Sequence, residues 1–222
     1  MNGRWRFLAA VVVSVQPFNA LRCALYRSLF RYSVNDARIG FGTVIAARKV
    51  ELNGCTIGRF NRFKGPMDLS IAPGAHVETH NVFDCGEWAA DAEHFDRYER
   101  CLVIESNARI TDHHVFDVAG RFVLGRGSWI AGRGSQFWTH GIDVADRNIS
   151  IGRDCYIGSA VRFAPGSGVA DNVVVGLGSV VTTRLEASDV VIAGCPARVV
   201  GTGRRWRRMG DERRPGGNQP GM

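Results

Sequence analysis

From Ile151 onward a large apolar residue returns at every sixth position: Ile151, Ile157, Phe163, Val169, Val175 and Val181. A small residue follows each of them, Gly152, Gly158, Ala164, Ala170 and Gly176, until Thr182 breaks the rule. The same spacing runs less regularly through Ile39 and Ile45, Ile57 and Phe63, then Ile71, Val77 and Phe83. It continues through Ile104, Ile110 and Phe116, then Leu124, Ile130 and Gln136. Neither the 3.6-residue period of a helix nor the two-residue period of a strand produces this pattern. It predicts one short strand and one corner per repeat, with three repeats closing a triangular coil of about 18 residues. The apolar residue points into the prism, the small residue lets the chain turn, and stacking of neighbouring coils builds the core. With strands ~4.8 Å apart, about eight coils between residues 36 and 200 make a rod of roughly 40 Å.

Three segments fall outside the repeat. Residues 86–100 are rich in acids and aromatics, including Glu87, Trp88, Asp91, Glu93, Phe95, Asp96, Tyr98 and Glu99. They are expected to project either as a functional loop on a rigid scaffold or as a flap over a coil face or subunit seam. Residues 201–222 lose all periodicity, and the last eight are expected to be disordered. In residues 1–35, Arg4 and Arg6 precede the apolar run Phe7–Val15, which is too short to span a bilayer. A signal-peptide cleavage after Ala20 would place Phe18 where a small residue is needed. Leu21, Leu25 and Leu29 recur at every fourth position and predict an amphipathic helix. That helix either lies on a membrane surface or docks on its own domain or a neighbouring subunit.

Charge changes this picture little. The net charge of +7 is concentrated at the ends: residues 1–31 carry five Arg and no acid, and residues 203–222 carry +4, leaving −2 between them. No helix-turn-helix, zinc-finger or RNA-binding signature accompanies the basic ends, so no nucleic-acid partner is expected. The six Cys are far apart and form no zinc or thioredoxin motif. They read as small buried residues in a reducing compartment. At 222 residues and 45% apolar content, the chain supports one domain with a continuous core.

The candidate chemistry sits where the late repeats begin. Thr139-His140-Gly141 precedes a short break at residues 142–148, after which the hexapeptides run unbroken to Ala193-Gly194-Cys195-Pro196-Ala197-Arg198. From Gly134 to Val200 this arrangement resembles the hexapeptide-repeat acyltransferases, especially the sugar O-acetyltransferases of the maltose, galactoside, capsule and colanic-acid kinds. Cys195 stands where that family commonly has Asn, and Arg198 where it commonly has Lys. The resemblance implies an all-β fold, a left-handed parallel β-helix, here with an N-terminal helical segment. It implies a homotrimer using acetyl-CoA as co-substrate, with no metal, and a sugar or glycan hydroxyl as acceptor. It makes His140 the general base, a role that suits a side chain titrating near neutral pH. His114 and Asp117, in the preceding coil, are candidates to orient His140 or bind the acceptor; the alternative is a polar corner. The coenzyme would follow Ser159, Ala160, Gly178 and Ser179, with Arg198 near its phosphates. Trp138 would wall the thioester, stack on a sugar or fill a subunit seam.

Two other functions fit the same scaffold. A zinc enzyme of the γ-carbonic-anhydrase kind needs three His on one metal. The six His at 76, 80, 94, 113, 114 and 140 do not have that family's spacing. A non-catalytic scaffold would be favoured by loss of His140, which is present. The expected location is cytoplasmic or at the inner membrane.

Overall fold

The computed structural model describes residues 3–142 and 144–202. Three parallel sheets form the faces of a prism. The first has eight strands, from Ser33–Asn35 to Arg184–Leu185. The second has nine, from Arg38–Ile39 to Ala197–Thr202, and the third has seven, from Val44–Ala46 to Val180–Val181. Successive strands of one sheet come from successive coils, so every parallel ladder is a coil-to-coil contact. The fold is a left-handed parallel β-helix preceded by two helices. The proposed tail from residue 203 lies outside the described residues. Gly201 and Thr202 belong to the final strand, which pairs antiparallel with Val190–Gly194 and covers the last edge of the second sheet.

The six-residue register names the core correctly along most of the rod: Ile151, Ile157, Phe163, Val169, Val175 and Val181 are all buried. On the third sheet the parallel register stacks identical residues directly. Phe63, Phe83, Phe116, Phe137 and Phe163 form one column, with successive centroids 4.4, 4.4, 4.6 and 5.2 Å apart. The column corrects one expected position: Phe137 points inward, and Gln136 does not. Between Ile110/Ile130 and Asp112/Arg133 the pairing shifts by a residue. That extra residue moves the next strand over by one, and a one-residue shift exchanges its two faces.

The corners hold a second column. Where the second sheet turns into the third, Phe60, His80, His113 and Ala160 have positive φ, as do Gly42, Gly134 and Gly178. The residue after each turns inward. Oδ1 of Asn61 accepts the N–H of Asn81, Oδ1 of Asn81 accepts the N–H of His114, and Nδ1 of His114 accepts the N–H of Ser135. This ladder satisfies buried backbone groups that no strand reaches.

Two helices close the open end of the first coil, α1 (Gly3–Ser14) and α2 (Asn19–Phe30). The inward face of α2 is not centred on its leucine stripe, of which only Leu25 packs partly against the core. Arg22, Cys23, Tyr26 and Phe30 are buried, while Leu21 and Leu29 face outward. The first strands form a sheet edge with unpaired backbone groups, which require polar partners. Arg22 donates to Ile39 O at 2.7 and 2.9 Å, and Asn19 Oδ1 accepts from Ile39 N. Tyr26 Oη donates to Thr43 O and accepts from Ile45 N, and Tyr32 Oη donates to Ala47 O. Leucine can do none of this, so the edge selects the polar and aromatic side of the helix.

Cys23, Cys55, Cys85 and Cys155 are buried, and burial pushes the Cys55 and Cys85 thiols up to about 12. Cys101 is half-buried, and Cys195 departs from the expectation by standing exposed in the terminal turn.

Candidate active site

The candidate residues His140 and Asp117 meet at the corner from the third sheet to the first. The parallel pairing of Val115–Asp117 with Gln136–Phe137 brings Asp117 alongside the Trp138–His140 turn. Asp117 Oδ2 accepts from Thr139 N at 2.8 Å and from Thr139 Oγ1 at 2.9 Å. The same oxygen lies 2.9 Å from His140 Nδ1. A carboxylate only accepts, so Nδ1 carries the proton and Nε2 is left with a free lone pair. The His140 side chain is 45% exposed and that of Asp117 11%. The pair thus has a fixed, largely covered carboxylate and an accessible imidazole edge.

Aromatic rings flank that imidazole. Trp138, on the outward side of its strand because Phe137 points inward, stands edge-on with centroids 6.3 Å apart. Trp88 also stands edge-on to it, at 5.6 Å. Trp88 comes from the 86–100 insertion, which folds as two 3-10 turns, Glu87–Ala90 and Phe95–Arg97. Arg100 holds the insertion together by donating to Ala89 O and Phe95 O. Its outer end meets the loop after His140: Arg147 lies over the Tyr98 ring at 4.8 Å, and Asn148 Nδ2 donates to Glu99 Oε1. Between insertion and loop runs a cleft of ≈ 540 Å³, lined by His94, Arg97, Tyr98, Gly141, Val144, Ala145 and Arg147. Trp88 and Tyr98 were legible only as part of an aromatic-rich insertion; nothing in their spacing links them to His140.

The other sequence candidates scatter. His114 does not join His140. It is fully buried in the ladder at a different corner, with Nδ1 accepting from Ser135 N and Nε2 at 3.1 Å from Thr111 Oγ1. Burial pushes its pKa down to about 4, so it stays neutral there. Both ring nitrogens are committed, which corrects its expected catalytic role. Ser159, Ala160, Gly178 and Ser179 do share a corner, but it is the one between the second and third sheets. There Ala160 and Gly178 are exposed and a side chain at Gly178 would meet nothing within 4 Å. Ser179 is buried, its hydroxyl donating to Gly176 O and accepting from Gly194 N, so its side chain offers nothing to a ligand. Arg198 is exposed on the terminal strand. His80 and His113 stack ring on ring at 4.8 Å at their corner. Among the described residues no three His, Cys, Asp or Glu side chains gather in a metal-binding group.

Fold and corner together define a hexapeptide-repeat β-helix with an aromatic-flanked His–Asp pair. No family model matches the chain. Galactoside O-acetyltransferase of Escherichia coli (strain K12) is 46% identical to it over 52 residues, 23% of this chain and 25% of that protein. The match therefore spans a quarter of the curated relative's length. Among solved structures, LpxA from Acinetobacter baumannii superposes with a TM-score of 0.50 at 13% identity, covering 77% of this chain and 70% of the other. The polysialic acid O-acetyltransferase OatWY gives a TM-score of 0.44 at 18% identity, covering 80% and 87%.

Proposed function

We propose that the protein transfers an acetyl group from acetyl-CoA to a hydroxyl of a sugar or glycan precursor. The observation that carries this reading is the His140–Asp117 pair, a largely covered carboxylate held on Nδ1 of a half-exposed imidazole. The local similarity to galactoside O-acetyltransferase, and the Pro196-Ala197-Arg198 ending, support the acyl donor.

In this mechanism His140 Nε2 takes the proton of the acceptor hydroxyl as its oxygen bonds to the thioester carbonyl carbon. The C–S bond then breaks, and the imidazolium returns the proton to the departing thiolate. Asp117 holds the Nδ1 tautomer and stabilises the transient positive charge. The cleft beside Tyr98 and Arg147 receives the acceptor, with Trp88 and Trp138 offering apolar faces to a sugar ring.

The coenzyme corner and the His140 corner are different edges of one prism. A homotrimer resolves this: the coenzyme runs along Ala160 and Gly178 of one subunit while a neighbour supplies His140. Calorimetric titration with acetyl-CoA tests the reading before any acceptor is known. Saturable binding at about one site per chain is expected. Absence of binding by folded protein, with stoichiometric zinc instead, would transfer the reading to a metalloenzyme.

A further inference from the structure

The N-terminal cap has two faces, and only one is explained by the prism. The terminal cap of a stacked-repeat protein ordinarily shows a polar outer face, because nothing stacks on it. Here the outward stripes hold Trp5, Leu8, Val12, Phe18, Leu21 and Leu29. Trp5 is 65% exposed, Phe18 70% and Leu29 59%. On α1, Trp5, Leu8 and Val12 follow helical spacing on the side opposite Ala10 and Val13, which are buried against the core. On α2, Leu21 and Leu29 are exposed on the side that borders the buried Arg22, Tyr26 and Phe30, while Leu25 between them packs partly against the core.

The cap's own charges have one sign, and the carboxylate of Glu87 reaches only the α1 end at Gly3. Residues 1–31 contain no Asp or Glu. Arg6 and Arg22 are spent on backbone carbonyls of the first coil. Arg4, Arg27 and Arg31 remain exposed next to the apolar residues. An apolar stripe bordered by arginines matches an anionic lipid surface, where acyl chains take the apolar groups and headgroups take the cations. A second copy is a poorer match. A two-fold pairing of this face with itself would set the exposed Arg4, Arg27 and Arg31 against one another, with no Asp or Glu among the cap's own residues to separate them. No described helix is long and apolar enough to cross a bilayer, so contact would be interfacial.

We propose that the outer face of the α1–α2 cap docks on an anionic membrane surface, with the β-helix standing away from it. The test uses the full chain in co-sedimentation with phosphatidylcholine vesicles, alone or mixed with phosphatidylglycerol. Binding is expected only to the mixed vesicles and should weaken as salt rises. The double variant Leu8→Glu/Leu29→Glu should lose at least about tenfold in partitioning with an unchanged melting temperature, since both positions are exposed. Arg27→Gln and Arg31→Gln should each lose about fivefold, the equivalent of ~1 kcal/mol per cation at the surface. If the double variant melts early, Phe18→Glu in the inter-helix turn provides the same readout. Failure of folded wild-type protein to sediment with mixed vesicles would overturn the proposal. So would wild-type binding by the glutamate variants, which would place the contact elsewhere in the chain. Light scattering that showed those substitutions dissociating an assembly of a chain that binds no vesicles would assign the face to a second copy instead.

Discussion

His114 and His140 sit in neighbouring coils, each within reach of polar side chains, yet they face opposite ways. At the second-to-third corner His114 is one rung in a ladder: it takes Ser135 N–H on one nitrogen and contacts Thr111 Oγ1 with the other. At the third-to-first corner His140 has Nδ1 engaged by Asp117 and a ring that is half-exposed. The difference is one of unspent valence. A histidine whose nitrogens are both committed inside a core is a structural part, whatever its neighbours. One whose carboxylate partner fixes the tautomer while leaving Nε2 exposed can move a proton. The inserted 86–100 segment reinforces the contrast by placing Trp88 against His140.

The sharpest way to break this comparison is to remove each ring in turn. His140→Ala should lower kcat by about 10³-fold or more, within the range for general acid–base catalysis, while acetyl-CoA affinity and melting temperature stay near wild type. Near-full turnover of this variant on a proven acceptor would end the general-base assignment. Asp117→Asn keeps the shape but can present an N–H to Nδ1, favouring the wrong tautomer. It should lower kcat by about 10²-fold with little change in KM, and a larger KM than kcat effect would make Asp117 an acceptor ligand instead.

At the other corner the effects should fall on stability alone. His114→Ala leaves Ser135 N–H without its acceptor in the core and should destabilise by about 1–3 kcal/mol, read as a lower denaturant midpoint with kcat retained. His114→Asn installs the residue type found at Asn61 and Asn81 in the same column and should recover most of that loss. The same residue also sets a pH dependence. Folded His114 takes up its proton only near pH 4, whereas the unfolded chain does so near 6.5. Between those values the unfolded state binds more protons. This contribution is therefore complete above pH 6.5 and is lost as pH falls toward 4, by about 3 kcal/mol in all. Melting curves over that window should be shallower in pH for His114→Asn; an identical slope would mean that other groups carry it.

The cap teaches the same lesson from the opposite direction. Leu21, Leu25 and Leu29 have the helical spacing that normally marks a buried face, and the amphipathic helix is there. Its orientation was not readable, because spacing records only that apolar residues share a side. Which side faces the protein depends on what the protein needs there, and the first coil needs hydrogen-bond partners that Arg22 and Tyr26 possess.

Local repetition made the prism legible. A six-residue period recurs coil after coil, each repeat carries the same inward apolar residue, and so the core and the position of His140 in a break of the repeat can be read directly from the chain. Tertiary structure decided what repetition does not encode. A single extra residue before Phe137 fixed which side of that strand carries Trp138. Parallel register chose Asp117 over His114 as the partner of His140. Folding of a distant insertion brought Trp88 to the same imidazole. These are contacts between coils and across an insertion, set by strand register and by the hydrogen-bond demands of edges and corners. A short-range pattern carries no information about them.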